Sequence, residues 1–184
     1  MSEIVERVRA FVEEECKKPE AKYGPAYEGH FIPMHKYSVE LAKKLNADIE
    51  IVEIAAWLHD IGSIINGREE HHITGAKIAE QKLKELRYPS ERIQRIIACI
   101  LNHRGSVNNE RATLEERIVA EADALSNFDN IGGMFEAACV YEHRHQQDAA
   151  KSVLIKLTNK YNQLSQEGKE LVKPKYEAAM LLLT

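Results

Sequence analysis

His59 and Asp60 stand side by side at the end of an apolar run over residues 49–58, and Ile61-Gly62 follow at once. A buried carboxylate next to a buried imidazole is destabilising by several kcal/mol unless a hydrogen-bonded cation or a metal ion pairs with it. Two more polar residues fall on apolar helical stripes: His35, in line with Val39 and Ala42, and Asp123, one turn beyond Val119. Singly, each has a plain structural explanation, a core histidine bonded to a carbonyl or an aspartate capping a loop. Four together share a chemistry. Imidazole and carboxylate suit first-row divalent metals, and helical bundles assemble metal centres from side chains on several facing helices.

The elements that must carry these residues follow helical period nearly throughout, with no run of alternating β-branched residues, which predicts an all-α fold. Ser2 caps a first helix whose apolar positions Ile4, Val5, Val8, Phe11 and Val12 repeat until Pro19. Residues 19–33, with Gly24-Pro25, Gly29, Tyr23, Tyr27, Glu28 and His30, read as a connecting loop that also suits a pocket mouth. Pro33 opens a second helix with His35 facing inward. Asn46-Ala47-Asp48 is a break and an N-cap before a central helix through Trp57 and Leu58, which Gly62 and the polar stretch Asn66-Gly67-Arg68-Glu69-Glu70 end. A helix from about His71 to Leu86 stops before Tyr88-Pro89. Ser90 caps the next, where His103 continues the face of Ile93, Ile96 and Ile100 and leads into Arg104-Gly105-Ser106. Thr113-Leu114-Glu115-Glu116 is a capping box ahead of Ile118, Val119, Ala122, Asp123 and Leu125. Residues 131–184 hold two or three further amphipathic helices and a solvated turn at His143 and His145, without linker or repeat.

Composition bounds the partners. At 184 residues and 44% hydrophobic content, one domain with one core is the simplest reading. Lys and Arg total 25 against 29 for Asp and Glu, a formal charge of -4, which lacks the basic footprint of a duplex-binding protein. The odd number of cysteines, Cys16, Cys99 and Cys139, widely spaced, fits a reducing cytosol. The N-terminus lacks the pattern of a secretory signal, and no apolar window approaches a membrane span, so the expected setting is cytoplasmic with no membrane partner.

With these residues in place, the sequence resembles the HD superfamily of metal-dependent phosphohydrolases. The resemblance rests on His35 in His35-Lys36-Tyr37-Ser38-Val39-Glu40-Leu41-Ala42, then Leu58-His59-Asp60-Ile61-Gly62, then Ala122-Asp123-Ala124-Leu125, and covers roughly residues 30–130. It implies an HD-type helical bundle across 1–184, with the helices of 131–184 packed on the metal-binding core. His35, His59, Asp60 and Asp123 would bind a metal that polarises a phosphoester oxygen and activates water.

Two-metal branches of that family carry a histidine four residues before a Gly-Ala pair and another ending the following helix. His71, before Gly75-Ala76, and His103 fill both places. The ligand set implied is then His35, His59, Asp60, His71, His103 and Asp123, with Asp60 as the bridging, catalytic residue between two divalent ions of the Fe, Mn, Ni, Co or Zn series, or with Mg. Periodicity alone aligns His72, not His71, with Ala76, Ala79 and Leu83, whereas the Gly-Ala spacing and the frayed start of the helix favour His71. Phosphate recognition calls for positive groups near the metals, and Arg104 and Lys36, each adjacent to an implied ligand, are the candidates, with Arg68 and Asn127 in reserve. The expected substrate is a small phosphomonoester or phosphodiester, a nucleotide or relative. The same six ligands also serve di-iron oxygenases, and the fold also serves non-catalytic sensor modules. Homodimerisation through the helices after Ile131 is an expectation by family analogy.

Overall fold

Residues 51–58 are buried without a break, so the helix that carries them must be enclosed on all sides. The computed structural model describes residues 2–104 and 110–183, and among them it is all-α, with no strand. In chain order the helices are α1 (Glu3–Lys17), α2 (Ile32–Leu45), α3 (Ile49–Leu58), α4 (Ile61–Asn66), α5 (His71–Glu85), α6 (Ser90–Asn102), α7 (Leu114–Ser126), α8 (Ile131–Glu136), α9 (Gln146–Gln163) and α10 (Gln166–Leu183). α3 is the axle: α1, α2, α6 and α7 all pack on it. Each Ile or Leu buried there stabilises the fold by about 1.5–3 kcal/mol relative to exposure.

Local chemistry sets the ends of these helices. Asn46, in the left-handed conformation at φ 54°, closes α2. Asp48 then caps α3, accepting a hydrogen bond from the Ile51 N–H at 3.3 Å and a bidentate pair from Arg92 at 3.0 and 2.9 Å. The capping box at Thr113 forms as its sequence predicts: the Glu116 N–H donates to Thr113 Oγ1, and the Thr113 N–H donates to Glu116 Oε1, each at 3.2 Å. Two other caps differ from expectation. Ser2 sits at the N-cap of α1 without a side-chain cap bond, and Ser90 is the first residue of α6, with Pro89 at the cap.

Two differences bear on the site. Gly62 does not end α3: the chain turns at His59-Asp60 and Gly62 lies inside the short α4, which closes at Gly67 with φ 98°. The stretch read as a loop ends in a π-helical turn, Tyr27–Phe31, that runs directly into α2. The wider turn changes which residues face inward before Pro33, and a 3.6-residue period cannot anticipate that. Beyond α7, α8 continues into a second π-helical turn, Ala137–Tyr141, and α9 lies across α7 and α8, with α10 on α9 and α7. Gly105 and Ser106 lie outside the described residues.

Candidate metal centre

The turn from α3 to α4 exposes Asp60 to a pocket while His59 behind it is fully buried. Around this pair two donor groups form, each with its ligand atoms within 4.8 Å of one another: His30, His59 and Asp60, and Asp60, His71 and His103. Asp60 belongs to both. Its Oδ2 lies 3.6 Å from His30 Nε2 and 3.7 Å from His59 Nε2, while its Oδ1 lies 3.2 Å from His71 Nε2 and 3.6 Å from His103 Nε2. Asp123, from α7, adds Oδ1 at 3.5 Å from His30 Nε2 and 4.0 Å from His59 Nε2.

The far side of each imidazole fixes what its near side offers. His59 Nδ1 faces the carbonyl of Ala56 at 2.8 Å, His71 Nδ1 that of Arg68 at 2.9 Å, and His103 Nδ1 that of Ile100 at 2.6 Å. A carbonyl only accepts, so each Nδ1 must carry the proton. His30 Nδ1 meets Ser126 Oγ at 2.9 Å, and that hydroxyl already donates to the Asp123 carbonyl at 2.8 Å, so His30 Nδ1 donates as well. In the neutral rings all four Nε2 atoms therefore turn lone pairs toward carboxylate oxygens or toward each other, His30 and His59 approaching to 2.9 Å. Lone pairs converge in this way only around a proton or a cation. The donor set of four imidazole nitrogens and two carboxylates, with the opposite ring N–H anchored to the main chain or a hydroxyl, fits first-row divalent metals.

Electrostatics separates the two groups. Burial pushes the His59 imidazole down to about 4 and lowers His30 as well, so both are neutral near pH 7. Burial acts against the charged form of His103 too, but its hydrogen bond to Asp60 and the Asp60 charge outweigh it and leave His103 raised. For Asp60, burial opposes ionisation, yet His59, His103 and His71 hold the carboxyl well below its ordinary value. Asp123 is likewise opposed by burial and held low, first by Lys160, whose Nζ lies 2.5 Å from Asp123 Oδ2.

Of the residues singled out from sequence, His59, Asp60, His71, His103 and Asp123 come together here. His35 does not. It joins neither donor group and packs on α3, its Nε2 3.0 Å from Glu53 Oε1 and its ring stacked on Trp57 at 4.8 Å. The inward stripe it occupies is real, but the buried partner is an acid on α3, and the π-helical turn delivers His30 to the site instead. His72 turns away from Asp60, toward Arg104 at 3.5 Å. Lys36 is exposed and absent from the pocket wall, one step off the inward face of α2. Arg104, Arg68 and Asn127 do line the pocket, a cavity of about 730 Å³. Sequence reasoning missed Ser126, Lys156 and Lys160. Lys156 and Lys160 sit on one face of an ordinary amphipathic helix, where charge is the default, and His30 was visible only as a polar residue in a segment suited to a pocket mouth.

The model of the HD domain matches residues 27–127. A tRNA (cytidine(56)-2'-O)-methyltransferase of Picrophilus torridus is 29% identical over 135 residues, 66% of this chain but 37% of the methyltransferase, so the chain spans little more than a third of that relative. Among solved structures, Bacillus subtilis YpgQ in complex with ADP superposes with a TM-score of 0.70 at 22% identity, covering 97% of this chain and 92% of that one. An HD-superfamily hydrolase of Bacillus thuringiensis superposes with a TM-score of 0.73 at 19% identity, covering 98% and 93%. At these identities the superpositions establish the fold. The family match spans more than half the chain and takes in His30, His59, Asp60, His71, His103 and Asp123: the protein belongs to the HD domain family.

Proposed function

We propose that this chain is a two-metal phosphohydrolase acting on a small phosphoester, a nucleotide or a related molecule. The observation that carries the reading is the convergence of four imidazole Nε2 lone pairs on two carboxylates, with Asp60 common to both donor groups. His30, His59, Asp60 and Asp123 would hold one divalent ion, and Asp60, His71 and His103 the other. Bound there, such ions supply Lewis-acid polarisation of a phosphoryl group and a water acidified toward neutral pH.

The rest is the work of the chain's own residues. The Nδ1 anchors to Ala56, Arg68 and Ile100 hold three rings rigidly, so ligand geometry is preorganised. Arg104 and Arg68 line a cavity whose size suits a nucleotide-scale ligand, and they give it the positive potential that a phosphoester needs beyond the metals. YpgQ, of the same fold, was solved with ADP, which supports an occupant of that size. The formal charge of -4 disfavours a nucleic-acid duplex as substrate, and among the described residues no helix is long and apolar enough to cross a membrane.

The test is Asp60→Ala, beside Asp60→Asn to preserve shape, assayed for bound metal and for turnover of p-nitrophenyl phosphate and bis(p-nitrophenyl) phosphate under argon with Mn²⁺ or Zn²⁺. Both variants are expected to lose metal and turnover together. Full activity in either sinks the reading, and wild-type turnover that requires oxygen transfers the site to oxygenase chemistry.

A further inference from the structure

α9 lies outside the matched family region, yet it forms one wall of the pocket with Lys156 and Lys160. The two lysines are four residues apart, on one helix face and about 6 Å along the axis. Their circumstances differ. Lys160 is paired with Asp123. Arg68, across the pocket, is paired with Glu142 at 3.1 Å, and Glu142 also takes Arg144 at 2.7 Å. Lys156 feels Arg68 and Lys160 as like charges and, more weakly, Asp123 and Asp60 as opposite ones, and among the described residues it has no hydrogen-bond or ion-pair partner at contact distance. It also stands where a smaller cavity of about 150 Å³, lined by Arg68, Glu142 and Arg144, joins the main one.

A half-buried ammonium in this setting destabilises the empty protein, since desolvation and like charge outweigh the attraction of Asp123 and Asp60. Those same two effects, burial first, lower its pKa to about 8. An anion arriving in the pocket removes the penalty. A phosphoryl group over Asp60 fills only part of this space, because Lys156 also borders the smaller cavity, whose wall includes Arg68 and Arg144 and none of the donor residues around Asp60.

We propose that Lys156 is a substrate-binding residue that receives a second phosphate, so that the substrate is an oligophosphate, such as a nucleoside diphosphate or triphosphate, rather than a simple monoester. The inference rests on the phosphohydrolase reading for the identity of the first phosphate. Its test separates the two. Full-length protein loaded with Mn²⁺ is titrated by calorimetry with imidodiphosphate and with orthophosphate, for wild type, Lys156→Met and Lys156→Arg, alongside p-nitrophenyl phosphate turnover.

Wild type is expected to bind imidodiphosphate at least about tenfold more tightly than orthophosphate, in the range of one charge-assisted hydrogen bond. Lys156→Met should abolish most of that preference while orthophosphate affinity stays within about twofold, and Lys156→Arg should retain it. The ligand-free Lys156→Met protein should melt no lower than wild type, which shows that the loss is not misfolding. Absence of a preference in wild type, or equal losses for both anions in Lys156→Met, overturns the assignment. The expected binding pattern without any turnover leaves Lys156 assigned and overturns the hydrolase reading instead.

Discussion

Gly62 and Gly75 meet backbone to backbone. A Cβ on Gly62 would stand 2.2 Å from the His71 carbonyl oxygen and 2.6 Å from the Gly75 nitrogen, and one on Gly75 would stand 3.2 Å from the Gly62 nitrogen. This contact sets the spacing of α4 and α5, and through it the reach of His71 to Asp60. Gly62→Ala therefore meets main chain on two sides and the Thr74 hydroxyl at 2.6 Å, and the main chain cannot swing aside. It is expected to lower stability by about 1–3 kcal/mol, the usual range for overpacking, and to reduce metal occupancy at the Asp60, His71 and His103 group before the other. Urea unfolding with metal analysis measures both. Wild-type stability and metal content in Gly62→Ala would show that the close approach does not position His71.

His30 and His35 give opposite outcomes on substitution. His30→Ala removes a member of a donor group and leaves the α2–α3 packing intact, so it should lose metal at little cost in stability. His35→Ala leaves the buried Glu53 without its imidazole partner and removes a ring from Trp57, so it should keep metal and lose about 1–3 kcal/mol. Metal content and urea midpoint, measured on both, distinguish the two roles. Metal loss in His35→Ala with retention in His30→Ala would reverse the assignment.

How much of this was legible in the sequence depends on the range of the interaction. The Thr113 capping box and the Asp48 cap close within three residues and can be read directly. His59-Asp60, His103 and Asp123 betray themselves as polar residues on apolar faces, and the fold then brings them together. Gly75 marks His71 over His72, and the structure supplies the reason in the contact with Gly62. His30 was hidden because the π-helical turn breaks the period by which inward residues are counted. Lys156 and Lys160 were hidden because the pocket wall exists only once α9 crosses α7 and α8, a contact between segments far apart in the chain.

The two donor groups should respond differently to pH. His30 and His59 are lowered and therefore neutral near pH 7, so an ion entering their group displaces no proton from them. His103 is raised by Asp60, so it keeps to higher pH than a free imidazole a proton that an ion must expel. Affinity at the His71 and His103 end should fall as pH drops through neutrality, while the His30 and His59 end holds until lower pH. In the metal-free protein His59 acts on stability with a definite sign. Its folded value is about 4 and its unfolded value about 6.5, so the unfolded chain binds more protons between the two, and the contribution is lost as pH falls across that window. Calorimetric titration with Mn²⁺ or Zn²⁺ from pH 5.5 to 8 checks the first statement. Identical pH slopes for both binding events would contradict it.

Lys160 pairs with one oxygen of Asp123, Oδ2, while Oδ1 faces His30 and His59. In the metal-free protein, Lys160→Met leaves a buried carboxylate beside neutral imidazoles of His30 and His59, and breaking such a pair is destabilising by about 3–5 kcal/mol. For a chain of this size that corresponds to a melting temperature lower by about 10 °C. A divalent ion held by His30, His59 and Asp60 would restore positive charge next to Asp123 Oδ1, so the deficit should shrink to less than half on loading with Mn²⁺ or Zn²⁺. Lys160→Arg should show little deficit in either state, because it keeps the charge. Melting curves of wild type and both variants, with and without metal, decide the matter. An equal loss in the presence and absence of metal would mean that Lys160 serves packing alone and that the Asp123 carboxylate does not sense the ion.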